Sequence, residues 1–256
     1  MTGSVGVVIS AYTPDVPTLE AFVDDRRDAL PAATIRVEID APDASTVARL
    51  ETVADTVDAV PERRGEGGAI MDGFDALEAD VLVFADADSS VPATSVRDVV
   101  RQVDGGTADV SIASRRHPTS NVVTHQTVFR QFLGDAFAFT ARRLLPTRCR
   151  DYQCGTKAVS EQAWAVIGHH CYEPGFAWDL EFASVAGSLG YDIAEVPVEW
   201  HDYPDSTVDP LSTSLELAAA LVDVKRRTGA LAASPRFSDV VTTDRSRLTT
   251  RNEDGE

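Results

Sequence analysis

The sequence predicts an α/β fold in which helices cover both faces of a mostly parallel sheet. Three observations lead to this prediction. Strand patterns alternate with helical patterns over the first 85 residues, which is typical of a parallel sheet with crossover helices. The segment from Val81 to Ala85 is an uninterrupted apolar run, as a buried strand requires. The chain has 256 residues, 43% of them hydrophobic, which is enough to bury a full core.

Local signals define the elements in chain order. The first strand is predicted from Val5 to Ala11. Asp15 and Pro17 then open a helix that reaches about Leu30, because aspartate is a common N-cap and proline is favoured in the first turn. The next elements are a strand over 35–39, a helix over about 43–54, a short strand over 57–60, a helix over about 68–77 and the strand that starts at residue 81.

Polar side chains follow three of these strands. Tyr12 follows the first strand, Asp40 the second, and Asp86 and Asp88 come directly after the apolar run that starts at Val81. In open parallel sheets, ligands bind at the carboxyl ends of the strands. We therefore expect these residues to share one edge of the sheet, although they are far apart in the sequence.

Asp86 and Asp88 are separated by one residue. Alternate side chains of an extended backbone face the same way, so both carboxylates can reach one ion if the strand geometry continues past Ala87. Mg²⁺ or Mn²⁺ is the expected ion, because hard cations take oxygen ligands and keep positions open for a diphosphate. The alternative is an acidic turn, since aspartate and serine are ordinary turn residues.

The charge balance of the chain is strongly acidic. Asp and Glu total 41 against 23 Lys and Arg, the formal net charge is −18, and Lys157 and Lys225 are the two lysines. This composition is similar to that of proteins from extreme halophiles. It argues against a nucleic-acid partner, because phosphate backbones are bound by basic surfaces.

Other composition signals favour a reduced, cytoplasmic compartment. No apolar run approaches the roughly 20 residues of a membrane span, and the first residues do not resemble a signal peptide. The odd number of cysteines, three, matches no zinc spacing. Residues 234–256 are polar and are expected to be a disordered tail.

A basic segment interrupts the acidic sequence between Arg115 and Lys157. It carries eight Arg and Lys residues against Asp135 and Asp151. From Phe129 to Leu145 its apolar residues recur at helical spacing, which predicts an amphipathic helix. Such a helix either docks on the sheet or lies in a membrane interface, where apolar side chains beside arginines are common. Lys225-Arg226-Arg227 is a second basic cluster, which equally suits a helix C-terminus.

Several blocks of the sequence resemble, in the same order, those of a known enzyme family. They are the start Val7-Val8-Ile9-Ser10-Ala11-Tyr12, the strand end at Asp40, Arg64-Gly65-Glu66-Gly67-Gly68-Ala69 with the later D-A-D and Ala113-Ser114-Arg115, then Asp151-Tyr152-Gln153-Cys154-Gly155-Thr156-Lys157, Phe176-Ala177-Trp178-Asp179-Leu180-Glu181 and Ile193-Ala194-Glu195-Val196-Pro197-Val198-Glu199-Trp200. Together they resemble the dolichyl-phosphate sugar synthases, which are inverting family 2 glycosyltransferases with the GT-A fold. The resemblance runs over roughly residues 5–227.

The resemblance implies roles for individual residues. Asp86 and Asp88, with Ser90 as a third ligand, would hold the metal, and the catalytic set would be Asp179, Asp88 and Arg115. Glu181, like Asp179, lies in the segment where other family 2 enzymes hold a catalytic carboxylate. The nucleotide sugar would contact Ala11, Tyr12, Asp40, Gly68, Asp86, Ala87 and Asp88, and the acceptor phosphate would contact Arg115, Arg130, Gln153 and Lys157.

Each role has a structural alternative. Tyr12 would be a strand-end aromatic, Arg115 an exposed charge, Gln153 a loop amide, Lys157 a solvated side chain, and Asp179 the cap of a helix that runs to Leu189.

The sequence departs from the family pattern at Ser10, where the family has a proline, at Thr13-Pro14-Asp15, and at two positions where the family has a lysine. Glu66 replaces a family lysine near the nucleotide, and Thr207 replaces another in the acceptor loop. The loss of two cations from a phosphate-handling site points to altered donor choice or weakened activity.

The expected function is inverting transfer of a hexose from a nucleotide sugar, of the UDP-glucose or GDP-mannose type, to a polyprenyl or dolichyl phosphate. Two alternatives stay open: transfer to a saccharide hydroxyl with Asp179 as base, and a catalytically weak sugar-nucleotide-binding or membrane-associated protein. The expected organisation is one domain over 1–230, with a nucleotide-sugar half over 5–115 and an acceptor half over 116–230. The protein would lie peripherally on the cytoplasmic face of the membrane.

Overall fold

The computed structural model describes residues 3–87, 90–123, 128–201 and 210–232, with side chains described outside 128–133 and 210–215. The predicted tail, Asp88 and Thr207 lie outside the described residues.

A seven-stranded sheet forms the centre of the described fold. Its strands are β1 (Val5–Tyr12), β2 (Thr34–Asp40), β3 (Thr56–Val60), β4 (Val81–Ala85), β5 (Val110–Ser114), β7 (Thr156–Ser160) and β8 (Ile193–Pro197), in the order β3-β2-β1-β4-β7-β5-β8. The pairs β1–β2, β2–β3, β1–β4 and β5–β8 are parallel, whereas β7 is antiparallel to both β4 and β5. The predicted α/β class with a mostly parallel sheet is confirmed. A short pair of parallel strands, β6 (Asn121–Val122) and β9 (Glu199–Trp200), forms a separate sheet.

Eight helices connect the described strands. The first begins where the sequence predicts, because the Asp15 carboxylate accepts a hydrogen bond from Thr18 N at 3.1 Å. The second is shorter than predicted, since the Thr52 amide and hydroxyl both donate to Arg49 O and close the helix early. The helices are α1 (Val16–Ala29), α2 (Ala44–Leu50), α3 (Glu66–Ala76), α4 (Ala93–Asp104), α5 (Val128–Leu144), α6 (Glu161–Ile167), α7 (Trp178–Ser188) and α8 (Pro210–Ala232).

The core lies on both faces of the sheet. Neighbouring residues of β1 point to opposite faces. Val7 packs in the cluster that includes α1 and α4, and Val8 packs in the cluster that includes α3 and α7. Helix α7 is buried on nearly all sides from Trp178 to Ala186. Its first turn, which carries Asp179 and Glu181, is therefore held by packing.

The strand order places a crevice beside β1. The chain passes from β1 to β2 and β3 on one side and returns to β4 on the other, so β1 and β4 flank the point where the order reverses. Ligands of open α/β sheets bind at such a point. Tyr12 pairs in register with Asp40. On the other side of β1, Phe84 pairs with Val8, and β4 ends at Ala85, one residue before Asp86.

Strand β7 joins the two predicted halves of the chain. It belongs to the acceptor half, yet it lies between β4 and β5, which both belong to the nucleotide-sugar half. The single-domain expectation stays a prediction.

The predicted amphipathic helix is present as α5, with a core-facing side in its second half. Ala138, Ala141 and Leu145 are buried there, and Phe137 is half-buried against the core. Phe137 therefore docks on the fold, which is the first of the two interpretations offered by the sequence. Phe139 points outwards with 64% of its surface exposed. None of the described helices is both long enough and apolar enough to cross a bilayer.

Candidate active site

Asp86 stands at the end of β4, next to a glycine turn. Its backbone N–H donates to Gly155 O at 2.7 Å. A Cβ atom on Gly155 would lie 1.6 Å from Asp86 Oδ2, so the carboxylate fills the space that any other residue at 155 would occupy. The sheet thus places one carboxylate of the predicted D-x-D pair at the strand-order reversal.

The rest of the predicted metal set is only partly described. Asp88 lies outside the described residues, and Ala87 forms a turn. Ser90 is buried, and its carbonyl accepts from His201 N at 2.9 Å. Within the described ranges no group of three or more His, Cys, Asp and Glu side chains is arranged to hold a metal. The donor chemistry nevertheless fits a hard cation, because a carboxylate stands in a space made for it by Gly155.

Tyr12 lies at the end of β1, as expected, and is 47% exposed. The guanidinium of Arg63 stacks 4.3 Å from the centre of its ring. Ala11 is half-buried beside it. Just beyond the strand ends, Thr13 and Ala41 have positive φ angles of 45° and 51°. Such angles are costly for residues with a Cβ and tend to mark functional loops.

Asp40 is buried and engaged by Arg64, a residue that the sequence analysis did not assign to the site. Arg64 donates to the Asp40 carboxylate from its backbone N at 2.7 Å and from Nε at 2.9 Å, and Gly65 N donates at 3.1 Å. Arg64 also contacts three other carboxylates, those of Glu38, Asp58 and Asp72. Asp40 therefore holds the turn before α3 as well as facing the ligand edge.

The glycine-rich turn packs against a loop that leads into α7. Gly68 N donates to Pro174 O at 3.0 Å. A Cβ on Gly67 would come within 2.3 Å of Glu173 O, so only glycine permits this approach. Gly65 has a φ of 87°, a value that favours glycine. These glycines thus have a packing role, and Glu66 begins α3 between them.

Lys157 and Asp179 form a buried ion pair. Lys157 is 1% exposed, and its Nζ donates to Asp179 Oδ1 at 2.5 Å and to Cys154 O at 2.9 Å. The alternative of a solvated Lys157 is therefore wrong. The alternative of Asp179 as a helix cap is also wrong, because Ala177 is the N-cap of α7 and no side chain caps it. Burial raises the pKa of Asp179, and the Lys157 ammonium opposes that rise.

Arg115 is held by Asp151 in a two-pronged ion pair. Its Nε and Nη2 donate to the carboxylate at 2.8 and 3.2 Å, and Nη2 also reaches Gln153 O at 3.2 Å. Arg116, which the sequence analysis missed, donates to the same carboxylate at 3.0 Å. Burial alone would raise the pKa of Asp151, but Arg115 and Arg116 hold it below its usual value. Arg115 also lies 5.4 Å from the Trp200 ring.

Residues 151–157 therefore link the parts of the site. They contact Arg115 through Asp151 and Gln153, Asp86 through Gly155, and Asp179 through Lys157. Arg130 lies in α5, but its side chain is outside the described part.

Glu181 has structural partners. Its Oε2 accepts from Tyr172 N and Glu173 N, both at 2.7 Å, and its Oε1 lies 2.7 Å from Arg227 of α8. Burial raises the pKa of Glu181, and its partners counteract the rise. Arg227, from the predicted basic cluster, thus ties α8 to the loop beside the glycine turn.

The family model described as Glycosyl transferase family 2 matches residues 7–164, more than half of the chain. The chain belongs to glycosyl transferase family 2. This confirms the family to which the ordered sequence blocks pointed, and the match covers β1 to β4, the Arg115 pair and β7.

Two curated relatives are longer than this chain and match it over part of their length. Glycosyltransferase AglD of Haloferax volcanii is 28% identical over 249 residues, which are 93% of this chain and 39% of AglD. Dolichyl-phosphate beta-glucosyltransferase of Mus musculus is 30% identical over 173 residues, which are 64% of this chain and 52% of the mouse enzyme. The chain thus spans about half the length of these relatives, or less.

Solved structures confirm the fold of this family 2 chain. Glucosyl-3-phosphoglycerate synthase from Mycobacterium tuberculosis, in complex with UDP, superposes with a TM-score of 0.65 at 17% identity, covering 89% of this chain and 81% of that one. The same synthase with Mn²⁺, UDP-glucose and phosphoglyceric acid gives a TM-score of 0.64. The GT-A architecture predicted by resemblance is present.

Proposed function

We propose that this family 2 chain is an inverting glycosyltransferase that moves a hexose from a nucleotide sugar to a polyprenyl or dolichyl phosphate. One observation carries the proposal: Asp86 ends β4 at the strand-order reversal of a GT-A sheet, in a space that Gly155 keeps open. The acceptor class is supported by the names of relatives, among them the dolichyl-phosphate beta-glucosyltransferases of mouse and yeast.

Asp86, Asp88 and Ser90 would hold a divalent cation, Mg²⁺ or Mn²⁺. When bound, the cation would offset the negative charge that develops on the departing nucleoside diphosphate. In support, the solved synthase with the same fold was crystallised with Mn²⁺ and UDP-glucose. Ala11, Tyr12, Asp40, Gly68 and Ala87 would line the nucleotide sugar, which is of the UDP-glucose or GDP-mannose type.

The residues on the acceptor side position charge rather than remove a proton. A lipid phosphate is already an anionic nucleophile near neutral pH, so it needs little help from a general base. Arg115 keeps a fixed direction because Asp151 holds it from two sides. With Arg130, Gln153 and Lys157, it would orient the phosphate for in-line attack on the anomeric carbon, which inverts the configuration.

A second candidate function is transfer to a saccharide hydroxyl. Burial raises the pKa of Asp179, and a carboxyl with a raised pKa is suited to accept a proton near neutral pH. In that reaction Asp179 would have to leave Lys157 and act as the base.

We also propose a peripheral position on the cytoplasmic face of the membrane, where the protein would meet a lipid acceptor. Phe139 and Leu144 of α5 are exposed beside Arg142 and Arg143. Apolar side chains flanked by arginines suit the interface of an anionic bilayer.

The test is a donor screen with the purified chain, dolichyl phosphate and Mn²⁺ or Mg²⁺ in concentrated KCl. Radiolabelled UDP-glucose and GDP-mannose are offered separately, and label is counted in the lipid phase. We expect one donor to label the lipid, and we expect EDTA or Asp86→Ala to abolish labelling while the fold is retained. Labelling that survives EDTA would contradict the metal assignment. Donor binding without any transfer would favour the catalytically weak binding protein, for which Glu66 and Thr207 argue.

A further inference from the structure

The turn at Cys154 and Gly155 touches Asp86 more closely than any side chain would allow. A Cβ on Gly155 would lie 1.6 Å from Asp86 Oδ2, 2.1 Å from its Cγ and 2.6 Å from its Cβ. Contacts below 3.0 Å essentially never occur for a real Cβ, so one of the two residues would have to move. We propose that Gly155 is a positioning residue that sets the direction of the Asp86 carboxylate towards a divalent cation, an inference that rests on the proposed function.

Rotation of the Asp86 side chain would not relieve this contact. Rotation about the Cα–Cβ bond moves the carboxylate, but it leaves the Asp86 Cβ in place, 2.6 Å from the added atom. The backbone at residue 86 or at residue 155 must therefore shift.

Hydrogen bonds and strand pairing hold the glycine turn in place. Cys154 O accepts from Lys157 Nζ at 2.9 Å and from Thr156 N at 2.8 Å. Lys157 is in turn fixed by its buried pair with Asp179. The β4–β7 ladder fixes the next pair, Ala85 with Thr156. Asp86 N donates to Gly155 O at 2.7 Å, so a backbone shift at either residue changes the direction of the Asp86 carboxylate.

Such a displacement matters for a metal ligand. Ligand distances in metal sites hold to within about 0.2 Å, and substitution of groups that orient a ligand costs about 10- to 100-fold in metal affinity. Gly155→Ala should therefore weaken cation binding, although it removes no ligand atom.

The test measures Mn²⁺ binding directly, from the free Mn²⁺ signal in electron paramagnetic resonance, with UDP present and in 1 M KCl. We expect Gly155→Ala to bind Mn²⁺ about 10- to 100-fold more weakly than the wild-type protein. Gly73→Ala is the matched control, because its Cβ would lie 2.7 Å from Val8 Cγ1 inside the core. It should lower the melting temperature and keep wild-type Mn²⁺ affinity.

A double-mutant cycle tests the contact independently of the metal. In an Asp86→Gly background the obstructing atoms are gone, so Gly155→Ala should lower the melting temperature less than it does in the wild-type chain. If Gly155→Ala alone does not fold, Asp86→Gly should restore folding. Equal effects in both backgrounds, or failure to restore folding, would overturn the inference.

The outcomes also separate this inference from the proposed function. Loss of Mn²⁺ binding by Asp86→Gly with wild-type binding by Gly155→Ala contradicts the positioning role alone. Wild-type Mn²⁺ binding by Asp86→Gly, or no binding by the wild-type protein, contradicts the positioning role and also the metal assignment within the proposed function.

Discussion

A substitution in the ion pair between Lys157 and Asp179 distinguishes a lipid phosphate acceptor from a saccharide hydroxyl acceptor. Asp179→Asn keeps an oxygen that can accept from Lys157 Nζ but removes the carboxylate that would serve as a base. With a lipid phosphate acceptor, we expect kcat to fall only modestly, because no proton needs to be removed. With a hydroxyl acceptor, the loss should be about 10²- to 10⁴-fold.

Donor affinity, measured by UDP binding, serves as the control for this substitution. A nearly inactive Asp179→Asn protein with unchanged donor affinity would exclude the lipid-phosphate mechanism. A Lys157→Met variant should lose stability instead, because it leaves the Asp179 carboxylate buried without its partner.

Asp151 gives the protein a pH-dependent contribution to stability. Arg115 and Arg116 hold its pKa below the usual value, so the unfolded chain takes up a proton first as the pH falls. Its contribution is therefore complete above about pH 4 and is lost as the pH falls through the lower folded-state pKa. At neutral pH, Asp151→Asn should reduce the free energy of unfolding by up to about 3–5 kcal/mol.

Urea unfolding of the wild-type protein and of Asp151→Asn between pH 7 and pH 3 measures this contribution of Asp151. The difference in the free energy of unfolding between the wild-type protein and Asp151→Asn should be constant from pH 7 to pH 5 and should become smaller below about pH 4. A difference that does not change with pH would show that the two arginines do not lower the pKa of Asp151.

The residues found from sequence are those that end strands. Asp40 and Asp86 could be predicted because a strand pattern stops at each of them, an alternating one before Asp40 and an uninterrupted apolar one before Asp86. Arg64 and Arg116 could not be assigned to the site from sequence, because each acts through a carboxylate that is distant in the chain, Asp40 for Arg64 and Asp151 for Arg116. A surplus of arginine between residues 115 and 157 was the only local signal for the Asp151 network.

Helix α5 has two phenylalanines with opposite surroundings, which allows a matched comparison. Phe139 is 64% exposed under Arg143, and Phe137 is half-buried against the core. If the helix meets a bilayer, Phe139→Ser should weaken binding to anionic liposomes at high salt and change the melting temperature little, as is usual for a surface site. Phe137→Ser should lower the melting temperature, since truncation of a fully buried Phe costs about 3–5 kcal/mol.

Co-sedimentation beside a melting curve measures both effects. Unchanged liposome binding by Phe139→Ser would argue against this face of α5 as the membrane contact.

Among the elements, the sequence predicts the strands and helices that alternate along the chain. The alternation of strands and helices up to β4 was visible because each strand is followed by a helix before the next strand begins. The position of β7 was not visible, because it pairs antiparallel with β4 and β5 across long sequence separations. Local periodicity carries no information about such pairs.

The whole molecule carries a formal net charge of −18, and the repulsion among its carboxylates opposes the compact state. Salt shortens the range of this repulsion from about 10 Å at 0.1 M to about 3 Å at 1 M. We expect the melting temperature to rise between 0.1 and 1 M KCl by at least about 2–4 °C, the shift that 1 kcal/mol produces in a domain of this size. NaCl should act equally, because screening depends on ionic strength. A melting temperature that falls with salt would contradict the halophilic interpretation of the composition.

The central place of β7 also determines when the site can form during folding. Ala85 and Thr156 must meet before Gly155 reaches Asp86, and closure of so long a loop is slow. Until then β4 presents an unpaired edge, which is a template for association with other chains. We therefore expect a fragment that ends near residue 115 to aggregate, and we expect the cation site to appear late in refolding, at the moment when β7 inserts between β4 and β5.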